Sequence, residues 1–369
     1  MRPTIAGLAF VPLLLLAASP GTAAAQDAAD ASAGQDTASE SGATPNRPPI
    51  LDMHMHAFAV DAMGPPPLAI CAPFEEWPVW DQRQPYGATF MGVSKEPTCE
   101  NPVWSPETDG ELMRQTIEVM ERRNIVGVLS GAAEMVAKWR EAAPGRFIPS
   151  LGFTVATDTV FSGAVEGPIS PDSLRSLVES GQVEVLGEVI NQYAGIAPDD
   201  ERMEPYWALA EELDIPVGIH IGPGPPGVHY LNAPGYRARM HSPFTLEEVL
   251  VDHPKLRVYV MHAGFPMIDD MLAMLYTHPQ LYVDISVIAY TQPKKGFYRY
   301  LERIVEAGFT DRVMWGSDQM VWPGVIEHSI RTIEDAPFLD EAQKRAILYD
   351  NAARFLRLSE EEMARHREM

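Results

Sequence analysis

The chain reads as an α/β protein built as a (β/α)8 TIM barrel, on three observations. From Ile50 onward, eight short apolar strands alternate with helical stretches over about 310 residues. The strands are continuous apolar runs rather than alternating ones, which argues a parallel sheet buried on both faces. The third observation is where polar residues fall: His54, His56, Glu188, His220, His262 and Asp318 all sit at C-terminal strand ends. In a barrel these ends converge on one mouth, whereas an open doubly wound sheet would spread them apart.

Taken in order, the chain starts with a targeting signature. Arg2 precedes an apolar run, Ile5 to Ala18, and a Ser19-Pro20-Gly21 break leads to Ala23-Ala24-Ala25. That predicts a secretory signal peptide over 1–25 and export to the periplasm or beyond. The run is short for a membrane span, and no Cys follows it to carry a lipid, so no stable membrane anchor is expected. Residues 26–47 are nearly free of large apolar side chains and predict a disordered linker. The barrel is expected over 48–358 and a charged C-terminal tail over 359–369.

The first strand, Ile50 to His56, ends in His-x-His. Residues i and i+2 of a strand share a face, so His54 and His56 project together, with Asp52 one step deeper as an orienting partner. A long insertion follows at 57–108, rich in Pro, Trp and Gly and without a period. It holds both cysteines of the protein, Cys71 and Cys99, which in an exported chain predicts a disulfide.

Helix and strand then alternate. Helix 111–122 leads to strand 125–129, helix 134–142 to strand 147–153. Pro171 opens a helix that Gly181 follows, and strand 183–188 ends at Glu188. Helix 202–213 precedes strand 216–221. Thr245 and Glu248 have the spacing of a capping box, ahead of strand 256–262. Helix 267–276, strand 281–285, helix 298–307 and strand 312–318 complete the pattern, and helices after Gly324 and Asp340 close it.

Of ten histidines, four terminate predicted strands. His253 and His278 each precede a proline at a helix end and read as structural, while His229 and His241 lie in the loop after the fifth strand. Three imidazoles and a carboxylate suit one divalent ion, best Zn²⁺, which lowers the pKa of water towards neutrality and polarises a carbonyl. His262 is the candidate for proton transfer.

The series Asp52-x-His54-x-His56, His220, His262-Ala263-Gly264 and Gly316-Ser317-Asp318 resembles the amidohydrolase superfamily. His262-Ala263-Gly264-Phe265-Pro266 and Asn351-Ala352-Ala353-Arg354-Phe355 resemble its amidohydrolase-related branch, which includes aminocarboxymuconate-semialdehyde decarboxylase. The resemblance implies His54, His56, His220 and Asp318 as metal ligands, with Asp318 and His262 in the catalytic machinery and His262 activating water. One departure matters. Two-metal members often carry a carboxylated lysine at the end of the fourth strand, and this chain has Glu188 there. That leaves a single metal, or a pair bridged by Glu188 as in TatD-like nucleases.

The leading expectation is a metal-dependent hydrolase that directs activated water at an ester, lactone or amide of a small molecule. The alternative is a metal-dependent non-oxidative decarboxylase, for whose substrate carboxylate Arg237 and Arg239 are the candidate partners. With Asp+Glu 51 against Lys+Arg 28 and a net charge of −23, nucleic acid is not an expected partner. Members of the branch are often dimers, so the resemblance allows a homodimer. A non-catalytic binding protein on the same scaffold would hold no metal.

Overall fold

Eight parallel strands follow one another around the sheet in chain order. They are β1 (Ile50–His56), β2 (Ile125–Ser130), β3 (Phe147–Phe153), β4 (Val185–Val189), β5 (Val217–His220), β6 (Val258–Met261), β7 (Tyr282–Asp284) and β8 (Val313–Met314). The computed structural model describes residues 47–156, 167–222 and 224–369. The expected leader, and the expected linker up to residue 46, lie outside these. At the seam, Met53 N–H donates to the Trp315 carbonyl at 3.0 Å and Asp318 N–H to the His54 carbonyl at 2.7 Å. The barrel that the sequence predicts is therefore nearly closed.

Leu51 and Met53 of β1 pack with Val128, Val185, Tyr259 and Met314. These come from β2, β4, β6 and β8, as expected for an interior layer fed by alternate strands. Tyr349, Ala352 and Phe355 of the last helices join this cluster and plug the barrel's far end. A second, larger cluster lies between the strands and the outer helices.

The β1–β2 register shifts between Asp52 and Met55. This irregularity breaks strict alternation, so His54 and His56 follow Met53 inward. Asp52 does not share their cavity, as alternation had suggested. Its Oδ1 accepts from the backbone amides of His54 (3.0 Å) and Ser317 (2.8 Å), tying β1 to the chain after β8.

Helix starts follow their caps. Thr108 caps the helix Asp109–Arg123 by accepting from Glu111 N–H, and Ser170 caps Pro171–Glu179 in the same way. The Thr245 capping box does not form. Pro243–Leu246 is a 3₁₀ turn in which Thr245 Oγ1 donates to the Ser242 carbonyl, and the α-helix begins at Glu247. Capping boxes occur instead at Asp340/Gln343 and Ser359/Glu362. The latter opens a helix, Glu360–Glu368, so the charged terminal segment is not a loose tail. His366 is buried there, 3.0 Å from the Tyr349 hydroxyl.

The insertion carries a helix, Tyr86–Lys95, and a two-stranded antiparallel ribbon, Ala69–Ile70 with Val103–Trp104. The Cys71–Cys99 disulfide joins its two ends. Leu68 O accepts from the Trp322 indole at 2.9 Å, and Phe74 N–H donates to Thr291 O at 3.0 Å. These bonds seat the insertion over the barrel mouth.

Candidate metal centre

His54 and His56 end β1, Glu188 lies in β4, His220 ends β5, His262 follows β6, and Asp318 follows β8. All four imidazoles are at least 96% buried, between 1% and 4% exposed, and Asp318 is 7% exposed. Two glycines permit the approach of backbone to ring. A Cβ on Gly316 would come within 2.8 Å of His54 Cβ, and one on Gly222 within 2.6 Å of His262 Cβ.

Neighbouring groups fix the tautomers. His262 Nδ1 lies 3.2 Å from the Ser286 carbonyl, which can only accept, so Nδ1 carries the proton and the Nε2 lone pair faces the mouth. Ser286 Oγ–H donates to Asp284 Oδ1 at 2.5 Å, which leaves its oxygen to accept from His54 Nδ1 (2.9 Å) and His262 Nδ1 (3.1 Å). Ser130 Oγ donates to the Met55 carbonyl at 3.2 Å and so accepts from His56 Nδ1 at 3.0 Å. Gln319 holds the His56 backbone on both sides, at 3.1 and 2.6 Å.

Nε2 of His54 and Nε2 of His56, both left without a proton by these tautomers, are 3.1 Å apart, and two acceptors at that distance repel unless a cation lies between or beside them. His220 Nδ1 contacts Glu188 Oε1 and lies 3.0 Å from His262 Nε2. The donors fall into two separate triads whose ligand atoms lie within 4.8 Å of one another: His54, His56 and Asp318, and Glu188, His220 and His262. Glu188 spans them. Its Oε2 is 3.7 Å from Nε2 of both His54 and His56, and its Oε1 contacts His220 Nδ1 and lies 3.4 Å from His262 Nε2. A third group, His54, His262 and Asp284, lies behind the imidazoles.

Charge in this cluster is tuned strongly. Burial would raise the Glu188 carboxyl, but His220, His262 and His54 hold it well below the usual carboxylate range. Burial raises Asp318 too, and His54 and His56 bring it below normal. Burial lowers His54, and Asp318, Asp284 and Glu188 carry it well above an ordinary histidine. The site thus favours positive charge at its centre. Burial raises Asp52 to about 7. The residues present fit divalent cations: four converging imidazoles, three of them with Nδ1 held as the donor, and two anionic carboxylates, whose pull on a proton at His54 a bound cation would satisfy instead.

The other sequence-level candidates fall outside. Arg237 and Arg239 are exposed and line no part of the cavity above the cluster; Arg237 Nη1 bonds the carbonyls of Pro234 (2.8 Å) and Tyr236 (2.7 Å). The segment after Gly235 turns their side chains to solvent. His229 pairs with Arg237 at 3.2 Å. His241 is buried with its ring centre 5.3 Å from that of His220, and burial beside His220 and His262 takes its pKa down to about 2. Asp284 and Ser286, which orient two of the histidines, went unnoticed in the sequence. The available signal is an acid one residue before the end of the expected strand 281–285, close to the signal that marks Asp318.

A cavity of about 420 Å³ opens above the cluster, with His56, Glu188, His220, His262 and Asp318 at its floor. No Lys or Arg lines it among the described residues.

A family model described as Amidohydrolase matches residues 51–358. No protein of curated function matches the sequence. Among solved structures, the chain is similar to an uncharacterised TIM-barrel protein from Bordetella bronchiseptica, at 20% identity and TM-score 0.50, covering 69% of this chain and 90% of that one. It is also similar to a probable 2-pyrone-4,6-dicarboxylic acid hydrolase from Acinetobacter baumannii, solved with citric acid bound, at 14% identity and TM-score 0.50, covering 84% and 99%. A third is 5-carboxyvanillate decarboxylase from Sphingomonas paucimobilis, at 14% identity and TM-score 0.50, covering 85% and 100%. At these identities the likenesses show the barrel fold.

Proposed function

The chain belongs to the amidohydrolase family, and on that premise we propose that it is a metal-dependent hydrolase of an uncharged ester, lactone or amide. The observation that carries the choice of reaction is the cavity wall. A decarboxylase must hold a substrate carboxylate, and no Lys or Arg lines this cavity among the described residues.

His54, His56 and Asp318 would hold one divalent ion, and Glu188, His220 and His262 a second, with zinc the best match to the donors. The split into triads, with one Glu188 oxygen turned to each, favours two ions over a single ion on His54, His56, His220 and Asp318. Ions bound there supply Lewis acidity and lower the pKa of water. Asp318 lines the floor as an anion and takes the proton from attacking water at its carboxylate. His262 is less suited to that step, because Nδ1 keeps its proton on Ser286 and Nε2 faces His220 and Glu188. Asp284 and Ser286 hold His54 and His262 in register. The insertion covers part of the mouth from above.

Export fits this reading. The leader-like residues before Ala25 and the Cys71–Cys99 bridge both suit an oxidising compartment, and sequencing the mature N-terminus tests it. The function is tested by metal analysis of purified protein, then kinetics on neutral lactones and esters against aromatic carboxylates. Metal-dependent hydrolysis of the neutral compounds is expected. Release of CO2 from the carboxylates without hydrolysis of the others would replace this reading with the decarboxylase.

A further inference from the structure

The cavity has two unlike ends. At its floor stand the imidazoles and carboxylates. Away from the floor the wall is nearly all carbon, contributed by Phe58, Phe74, Trp77, Phe90, Ile190 and Trp322 among others. Four of those six belong to the insertion. Phe74 and Trp77 stack at 4.5 Å between ring centres, and Trp77 is 44% exposed at the rim.

The polar groups on that wall are mostly committed to the protein. The Tyr86 hydroxyl donates to the Pro226 carbonyl at 2.7 Å, and Thr291 Oγ1 donates to Val287 O at 2.8 Å. Gln292 Nε2 lies 3.4 Å from Thr291 Oγ1. Tyr193 OH is 3.2 Å from His220 Nε2. A substrate substituent carrying charge or several hydroxyls would lose water there and gain few partners, which is costly. An aryl or alkyl arm loses nothing and buries its surface. The volume of about 420 Å³ lies within the range of small-molecule sites.

Resting on the hydrolase reading, we propose that the substrate is an ester or lactone bearing one hydrophobic arm, aryl or medium-chain alkyl, and that the insertion's rings select it. The carbonyl lies at the floor and the arm runs up between Phe58, Phe74 and Phe90. Hydrolysis adds water across the acyl C–O bond. The acyl carbon takes the hydroxyl oxygen, the alcohol oxygen leaves with a proton, and no oxidant or reductant is needed.

The test uses metal-loaded, full-length protein and two homologous series, γ-lactones with alkyl tails of increasing length and methyl esters of straight-chain acids. The matched anionic probes are monomethyl esters of dicarboxylic acids. Each buried methylene should raise kcat/KM about fourfold until the cavity is full, and a terminal carboxylate should abolish the gain. Phe90→Ala should reduce the ratio of long-chain to short-chain kcat/KM by about tenfold, the scale of a lost aromatic contact. Hydrolysis with no dependence on chain length, or a preference for the anionic esters, overturns the proposal and leaves the hydrolase reading standing. If neither the esters and lactones nor the matching straight-chain amides are turned over, the hydrolase reading falls, and the cavity is read by quenching of Trp77 and Trp322 emission with 2-alkanones. Affinity that rises with chain length then upholds the hydrophobic arm, and equal or tighter binding of the matching carboxylates overturns it.

Discussion

Two regions meet at the barrel mouth, and they are built on opposite principles. The floor is made of strand ends. Each imidazole there is held by a second group, as His54 and His262 are by Ser286 and His56 by Ser130, and side chains from the ends of five strands converge on one point. The roof is one long insertion whose rings touch one another and whose backbone is pinned at a few places, including Leu68, Phe74 and the Cys71–Cys99 bridge. The floor's geometry is over-determined, while the roof's is set by a small number of fastenings. Chemistry that tolerates little displacement belongs on the first kind of frame and selection of a substrate on the second.

The largest effect should come from Glu188, whose two oxygens face the two triads. Wild-type protein is expected to hold about two ions per chain. Glu188→Ala should drop at least one and lower kcat by roughly 10²–10⁴-fold, since bound ions supply several kcal/mol of transition-state stabilisation. His262→Ala should likewise lose metal. If wild type holds one ion and His262→Ala retains it while losing only kcat, the site is mononuclear and His262 is the proton-transfer group.

The roof's principal fastening comes next. Cys71 and Cys99 lie 28 residues apart, and closing such a loop is worth about 3–4 kcal/mol in the chain-entropy model. The double substitution Cys71→Ser, Cys99→Ser should expose residues 57–108 to limited proteolysis while the metal content stays near that of wild type. Equal loss of metal and of protease resistance would mean that roof and floor are one cooperative unit, and the contrast between them would be lost.

How legible each region is in the sequence follows from the same difference. The barrel and its mouth follow from periodicity: strands β1 to β8 are apolar runs, and rare histidines at their ends stand out. What the sequence hides is how those ends combine around the circumference. His220 joins Glu188 and His262 rather than the His54–His56 pair, which depends on strand neighbours and not on spacing. Asp52 failed the i, i+2 expectation because the register shifts between it and Met55. The last strand is shorter than the expected 312–318: it ends at Met314, and the chain from Trp315 to Asp318 meets β1 through single bonds, with a positive φ at Asp318, which an apolar run does not disclose. In the insertion, helix Tyr86–Lys95 has no fully buried residue and hence no clear apolar stripe to read. Only its cysteines carried a signal.

A smaller effect tests whether the floor owes its precision to its supports. Ser286→Ala removes the hydroxyl that accepts from both His54 Nδ1 and His262 Nδ1. Losing such an orienting partner typically costs 10- to 100-fold in metal affinity, about 1.4–2.7 kcal/mol. Competition with a chromogenic chelator should show that loss, and Ser286→Thr, which keeps the hydroxyl, should recover part of it. Identical chelator titrations for Ser286→Ala and wild type would show that the imidazoles need no such support.

The smallest effect lies at the opposite end of the barrel, where the same residue types do a different job. His253 ends the helix Glu247–Asp252 and is buried, with Nε2 3.1 Å from Glu204 and Nδ1 3.3 Å from Glu211. Burial lowers its pKa, and the two glutamates outweigh that and raise it above the ordinary 6.5. A histidine whose folded pKa is raised contributes stability that is fully present below pH 6.5. That contribution is lost as pH rises through the folded value. Because the Glu204 side chain is 59% exposed, solvent screening limits the pair to about 1 kcal/mol or less. His253→Gln should therefore unfold at lower denaturant than wild type at pH 5.5 and match it at pH 9, with metal content unchanged at both. A deficit of equal size at the two pH values would assign His253 to packing alone. A loss of metal would mean that the two ends of the barrel are coupled, so that histidine–carboxylate pairs at the base also help to set the chemistry at the mouth.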